Sequence, residues 1–434
     1  MNLLFIKLGI GALISVISFL SFLKTKAKLG IWLLVIILPI FSIKFLAGDF
    51  YTIEFGDILL VAIILPFLLR EIILSKKIGR TIPKEISNIL LFFLIYFSFI
   101  FLTIFWTKDI FLTFRELIIV IVFGLLFFVS LLTISRWDTK DLQSTILLII
   151  LVGLVVAILG ILQVFLPNFS IIQSVQPGFP TGIFTETNWY VHLLILVGCW
   201  SLFALKSQRK SLKILSTINL LVLLIGIYLA QSISGLAGFL YLLFIFFLHF
   251  LIKKPQYFIS FIFIFLILVL AFQGFFAGFT KPLKEITSIF EGDISENMEI
   301  RSTQFLISLK LIKDNPFGYG AGTWEPLMEE ATGMKIGPFG WINGILLEQG
   351  ILAFMAWLVF IIGCLIIITN SLIRTKRWEA KAALFSFIWL LIAGLPHPIY
   401  YMNFFWFYMG FSVAVALVIN RVFIKERMKL NSSN

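Results

Sequence analysis

The sequence predicts an all-α fold, a polytopic transmembrane helical bundle of about 12–13 helices. Three observations carry that prediction. Of the 434 residues, 60% are hydrophobic and only 13% are charged, with a mean hydropathy of +1.07; a soluble domain carries roughly 25% charged residues. Apolar runs long enough to cross about 30 Å of hydrocarbon recur along the chain, bounded by short polar stretches. Backbone in lipid must satisfy its own hydrogen bonds, so runs of this length mean helices, and the alternating segments of about ten residues that build a membrane barrel do not occur.

In chain order, the apolar runs place helices at 3–23, 29–47, 56–74, 88–106, 111–134, 143–166, 189–206, 214–231, 234–252, 256–279, 341–369, 380–394 and 401–422, within one membrane domain spanning 1–434. The first run is too long for the core of a signal peptide and ends in Lys24, Lys26 and Lys28 rather than a small-residue cleavage site, so it reads as a membrane helix. Cys199 and Cys364 both lie inside apolar runs, where buried, inert thiols are expected, and neither a disulfide nor a metal site is supported.

Orientation follows from the basic residues. Alternate connections hold Lys24 to Lys28, Lys76 to Lys84, Arg136 and Lys140, Lys206 to Lys213, Lys253 and Lys254, Arg374 to Arg377, and the tail from Arg421 to Lys429. The other connections include long stretches with no basic residue, among them 167–188 and 394–403. The basic set is expected in the cytoplasm, and the net charge of +12 is therefore a topology signal with anionic membrane lipid as its partner. It is not a nucleic-acid surface, for which a basic domain would be needed.

Two outer segments exceed a turn: a first external loop at 167–188 and a large external loop at 280–340. Within the second, Phe305, Leu306, Leu309 and Ile312 recur at helical spacing, while Arg301, Gln304 and Ser308 fall on another stripe. This predicts an amphipathic helix on the outer membrane surface. It should stop at Asp314-Asn315-Pro316, because the residue before proline disfavours helix, and be followed by the glycine-dense turn from Gly318 to Gly322.

Those stretches resemble the O-antigen ligase and Wzy-type polymerase family of bacterial surface-glycan enzymes. Arg301 followed by a helix and then Asn315-Pro316-Phe317-Gly318-Tyr319-Gly320 is similar to the family's arginine, helix and Asn-Pro-x-Gly-x-Gly pattern. Glu348-Gln349-Gly350 resembles its Glu-x-Gly, and Gly182-Ile183-Phe184-Thr185-Glu186 resembles a Gly-x-Phe-x-Glu element of many polymerases. Ser232 to Gly238 looks like a small-residue helix junction of the family. Two features depart from the pattern: Phe339 and Gly340 stand where a His-Asn pair often precedes the glutamate, and Phe179 and Pro180 where an arginine commonly precedes the first-loop element.

The resemblance implies a GT-C-like, metal-independent glycosyltransferase with no cofactor. It would take a glycan from an undecaprenyl-diphosphate carrier on the outer, periplasmic or extracellular face of the bacterial inner (plasma) membrane, alongside a chain-length regulator and a flippase of the same pathway. The polymerase reading comes first, since the histidine is missing; ligase transfer to a final acceptor is the alternative. A transporter or flippase would place its polar residues nearer mid-bilayer, and an assembly protein would not need Arg301 and Glu186 near each other.

Such transfer needs a cation for the departing diphosphate and a base for the acceptor hydroxyl. Arg301, at the family's arginine, is the candidate for the first, since a guanidinium fork suits phosphate oxygens; an interfacial, snorkelling arginine is its ordinary alternative. Glu186 and His397 are the candidate catalytic bases, against a helix cap and an interfacial histidine respectively. His192 lies one turn into its helix from the same loop as Glu186, with Asn188 between them expected as a cap. Arg115, beside Glu116 in an apolar run, is a candidate for substrate binding or a structural ion pair. Lys310, Tyr319, Trp324, Asn343 and Glu348 complete the candidate substrate-binding set, with solvated lysine, aromatic belt and structural hydrogen bonding as their alternatives.

Overall fold

The computed structural model describes residues 27–40, 44–47, 52–54, 83–166, 179–184, 186–253, 296–334, 337, 340–398 and 402–432. The helices expected at 3–23, 56–74 and 256–279 lie outside these residues, as does most of the first external loop. The described elements are helical apart from one antiparallel pair of short strands. They are α1 (Ala27–Ile37), β1 (Lys44–Ala47), β2 (Thr52–Glu54), α2 (Lys84–Leu102), α3 (Ile110–Ile134), α4 (Thr139–Phe165), α5 (Thr187–Ala204), α6 (Lys210–Ala230) and α7 (Ile233–Lys253). Beyond these come α8 (Glu296–Asp314), α9 (Trp324–Thr332), α10 (Trp341–Thr375), α11 (Trp378–Ala393) and α12 (Asn403–Ser432).

Among the described residues, seven helices are long and apolar enough to cross a membrane: α2 with its 3-10 extension, α3, α4, α5, α6, α10 and α12. The protein is a multi-pass helical membrane protein. The helix expected at 29–47 is corrected. α1 stops at Ile37, a 3-10 turn covers Leu38–Ile40, and the chain then pairs β1 with β2 antiparallel. Pro39 is the reason, because its ring and missing N–H cannot continue the helical ladder.

Two compact units divide the chain, one comprising 1–145 with 297–434 and the other 146–296. In the first, α3 packs on α12, α2 on α10, and α10, α11 and α12 on one another. Their core is aromatic: Phe93 meets Phe128, Phe360 and Trp406 edge-on at ring centroid distances of 5.5, 5.7 and 6.1 Å. The α3–α12 crossing is close because Gly410 has no side chain; a Cβ there would lie 2.1 Å from Ser130 Oγ. Asp109 caps α3, its carboxylate accepting from the Phe111 and Leu112 N–H groups at 2.9 and 3.0 Å.

In the second unit, α5 packs against α6 and α7. Buried polar groups lock these helices: Asn219 Nδ2 donates to Ser201 Oγ at 2.8 Å, and the Tyr190 hydroxyl donates to the Ala157 carbonyl at 3.2 Å. Both cysteines are free and buried, as their apolar setting predicted.

Candidate functional site

The site in the first unit is assembled around a break in α10. Gly350 adopts φ +82 and ψ 174 inside the helix, a conformation that a side chain would strain. The break exposes backbone groups, and the turn after α8 takes them up. Tyr319 N–H donates to Leu347 O at 3.0 Å, Gly320 N–H to Glu348 O at 2.9 Å, and Ile351 N–H to Pro316 O at 2.9 Å. Contact is so close that a Cβ on Gly318 would lie 2.6 Å from both Glu348 O and Gly350 N. The Asn-Pro-Phe-Gly-Tyr-Gly and Glu-Gln-Gly stretches, separate in sequence, are thus one interlocked structure.

Side chains extend the interlock. Glu348, 1% exposed, accepts the Trp324 N–H through Oε1 at 2.9 Å and so anchors the first turn of α9. Tyr96 donates from its hydroxyl to Gln349 Oε1 at 3.0 Å, and the Glu116 and Glu348 carboxylates both lie within electrostatic reach of Tyr96. The Trp106 indole N–H donates to Gly318 O at 3.0 Å, and Thr113 Oγ1 to Ala321 O at 3.0 Å. Lys108 pairs with Glu330 at 2.6 Å and sits over the Tyr319 ring at 5.7 Å. Trp324 packs with Leu327, Met328 and Leu347, and Tyr319 lies against that cluster.

α8 presents its stripes in an unusual sense. Gln304 and Ser308 are buried, whereas Leu306 is 65% exposed and Phe305 and Leu309 are exposed too. The polar stripe therefore faces protein and the apolar stripe faces outward, as suits a helix lying at a lipid surface. Arg301, half-buried, belongs to the inward stripe. Gln304 continues it, donating from Nε2 to Gly337 O at 3.3 Å.

His397, from a different element, comes within electrostatic reach of Arg301. It lies in the turn after α11 and is 7% exposed. The turn is fastened to the start of α10, where Trp341 N–H donates to Gly394 O at 2.9 Å and the Trp341 indole to Leu391 O at 3.1 Å. Burial, with the Arg301 charge beside it, pulls the His397 pKa from 6.5 down to about 4. The imidazole is therefore neutral at pH 7 and able to accept a proton.

The remaining candidates fall as follows. Asn343 and Glu348 are buried on α10, and Trp324 is buried on α9. Lys310 is exposed on α8, the setting of a solvated lysine. Arg115 is exposed on α3 whereas the adjacent Glu116 is buried, so the two side chains meet different surroundings. Glu186 and His192 belong to the second unit. Glu186 occupies the N-cap position of α5 without a side-chain capping bond, and His192 is buried one turn on. The cap expected at Asn188 is corrected, because helix already begins at Thr187 and Asn188 stands inside the first turn.

Sequence reading missed the residue that holds this loop. Gln163 of α4 accepts the Thr181 and Gly182 N–H groups at 3.0 and 2.8 Å and donates to Gly182 O at 2.6 Å. It also passed over Tyr96, and it named Gln304 and Gln349 only as members of a helix stripe and a motif, with no partner for either. Phe339 lies outside the described residues, but Gly340 beside it takes φ +69 and a Cβ there would lie 2.0 Å from Leu395 O, two residues before His397.

Residues 218–358 match the O-antigen ligase family model. The matched segment runs from within α6 to within α10 and contains Arg301, Lys310, Tyr319, Trp324, Asn343 and Glu348, whereas Arg115, Glu186, His192 and His397 lie outside it. No curated protein matches the chain. The resemblance read from the short motifs is borne out over this segment. It supports glycan transfer of O-antigen ligase or polymerase type, with a lipid-linked glycan as substrate and membrane lipid as surroundings.

Proposed function

We propose that this protein polymerises undecaprenyl-diphosphate-linked oligosaccharide repeat units into a surface polysaccharide on the outer face of the bacterial inner membrane. The observation that carries this reading is a buried His397, kept neutral by burial first, with the charge of Arg301 on the inward polar stripe of α8 within electrostatic reach of it. The acceptor hydroxyl oxygen attacks the anomeric carbon of the donor sugar as the carbon–oxygen bond to the diphosphate breaks. His397 accepts the hydroxyl proton, and Arg301 neutralises charge gathering on the departing diphosphate. This transfer is metal-independent in our reading, because the arginine supplies the cation. Glu186 is the candidate base on the second unit, with His192 behind it; Arg115, Lys310, Tyr319, Trp324, Asn343 and Glu348 line or support the substrate path.

A ligase that moves the finished glycan to a final acceptor is the second reading, favoured by the description of the matched family. Purified protein supplied with lipid-linked repeat units of its host separates the two. A ladder of lengthening lipid-linked glycan is the polymerase result, and a single transfer that requires an added final acceptor is the ligase result. No transfer in either case by folded protein contradicts both.

A further inference from the structure

A second polar site lies at the opposite end of the first unit, where α10 and α12 finish. Along α12, Asn420, Phe423, Ile424, Arg427, Met428 and Asn431 follow one another at spacings of three, one, three, one and three residues, which places them on a single stripe. With Arg374 from the last turn of α10, that stripe lines a cavity of about 490 Å³. Lys425, Glu426 and Lys429 fall on the other stripes of the same helix.

The lining is mixed in a specific way. Arg374 and Arg427 are both exposed, and among the described residues no carboxylate bridges either of them. Arg427 stacks over the Phe423 ring at 5.2 Å, which holds the guanidinium at the cavity rather than in open solvent. Ile424 and Met428 are exposed hydrophobic residues on the same stripe, as Ile373 is beside Arg374. Two cations over apolar surface at the end of membrane-crossing helices match a phosphate head with an acyl chain below it, and basic pockets between transmembrane helices recognise anionic headgroups in this way.

We propose that this cavity binds the headgroup of an anionic phospholipid, with its phosphate on Arg374 and Arg427 and its chain leaving past Ile373 and Ile424 toward the membrane-crossing part of the helices. The proposal is independent of the glycan-transfer reading. The basic connections at this end place it at the leaflet where the positive-inside pattern puts the cytoplasm.

The test uses the full chain, purified in neutral detergent, with retention of dioleoylphosphatidylglycerol and dioleoylphosphatidylcholine measured by native mass spectrometry. Wild type should retain the anionic lipid preferentially, and R374Q/R427Q should bind it about thirtyfold more weakly. K425Q/K429Q carries the same charge change on the other stripes and should retain it. Helical circular dichroism and a single size-exclusion peak establish that each variant is folded. Equal retention of the two lipids, or equal loss in both double variants, overturns the proposal. Inorganic phosphate binding at the two arginines as tightly as the lipid does overturns it as well, since the site would then be one for a free anion.

Discussion

Arg301 and His397 constrain each other before any substrate arrives. The guanidinium disfavours a second positive charge nearby, and burial disfavours any charge on the imidazole, so the pKa falls to about 4. Between 6.5 and 4 the unfolded chain takes up a proton that the folded protein refuses. Stability is therefore complete above pH 6.5 and declines as pH falls toward 4, by up to about 3 kcal/mol. Thermal melts of solubilised protein should show this decline, and His397→Gln should flatten it. The acid limb of glycan transfer should lie near pH 4 rather than 6.5, and Arg301→Gln should move the inflection upward; an inflection left in place would contradict the coupling. Arg301 was legible in the sequence because it stands at the start of the external helix, where the resemblance puts the family's arginine. Its partner was legible only as a histidine in an outer turn, since their meeting depends on the Trp341 bonds that fasten that turn.

At the scale of elements, the site rests on the docking of the Pro316–Gly320 turn onto the break in α10. Gly350→Ala would strain a left-handed φ and set a Cβ 2.3 Å from the Phe317 backbone, so it should cost at least about 2 kcal/mol. The readout is the midpoint of thermal unfolding, and an unchanged midpoint would refute the interlock. Glu348 gives a sharper contrast. Glu348→Gln keeps an acceptor for the Trp324 N–H and should cost under about 1 kcal/mol, whereas Glu348→Ala orphans that buried group at about 1–3 kcal/mol. If both variants are equally impaired, the charge of Glu348 matters beyond this bond. The break itself was not legible, because a glycine in an apolar run fits an unbroken helix; only the distant turn that takes up the freed groups reveals it. Gln163 and Tyr96 were passed over for a related reason, since neutral polar residues among apolar ones give no charge signal. Pro39, by contrast, was a legible breaker inside the run assigned to 29–47, and the length of that run outweighed it.

Over the whole molecule, apolar run length was the dependable signal. The described crossing helices begin and end within a few residues of the expected runs, apart from the C-terminal ends of α10, which runs on to Thr375, and of α12, which continues to Ser432 because Lys, Arg, Glu and Met sustain helix beyond the apolar run. The sidedness expected from the basic connections is open to direct measurement. Cys199 and Cys364 are buried and should stay unlabelled, so Lys310→Cys and Lys425→Cys report cleanly. An impermeant maleimide should label Lys310→Cys on intact spheroplasts and Lys425→Cys only after lysis; labelling of both from one side would reject the topology.

The most direct measurement is sugar transfer by the purified full-length protein from an undecaprenyl-diphosphate-linked repeat unit, with wild type beside Arg301→Ala and Arg301→Lys. Wild type should extend the lipid-linked glycan, Arg301→Ala should fall by about 100-fold or more while remaining folded, and lysine should restore part of the rate. Transfer undiminished in Arg301→Ala would contradict the role of the arginine on the inward face of α8, and no transfer by wild type to any acceptor would contradict the glycosyltransferase itself.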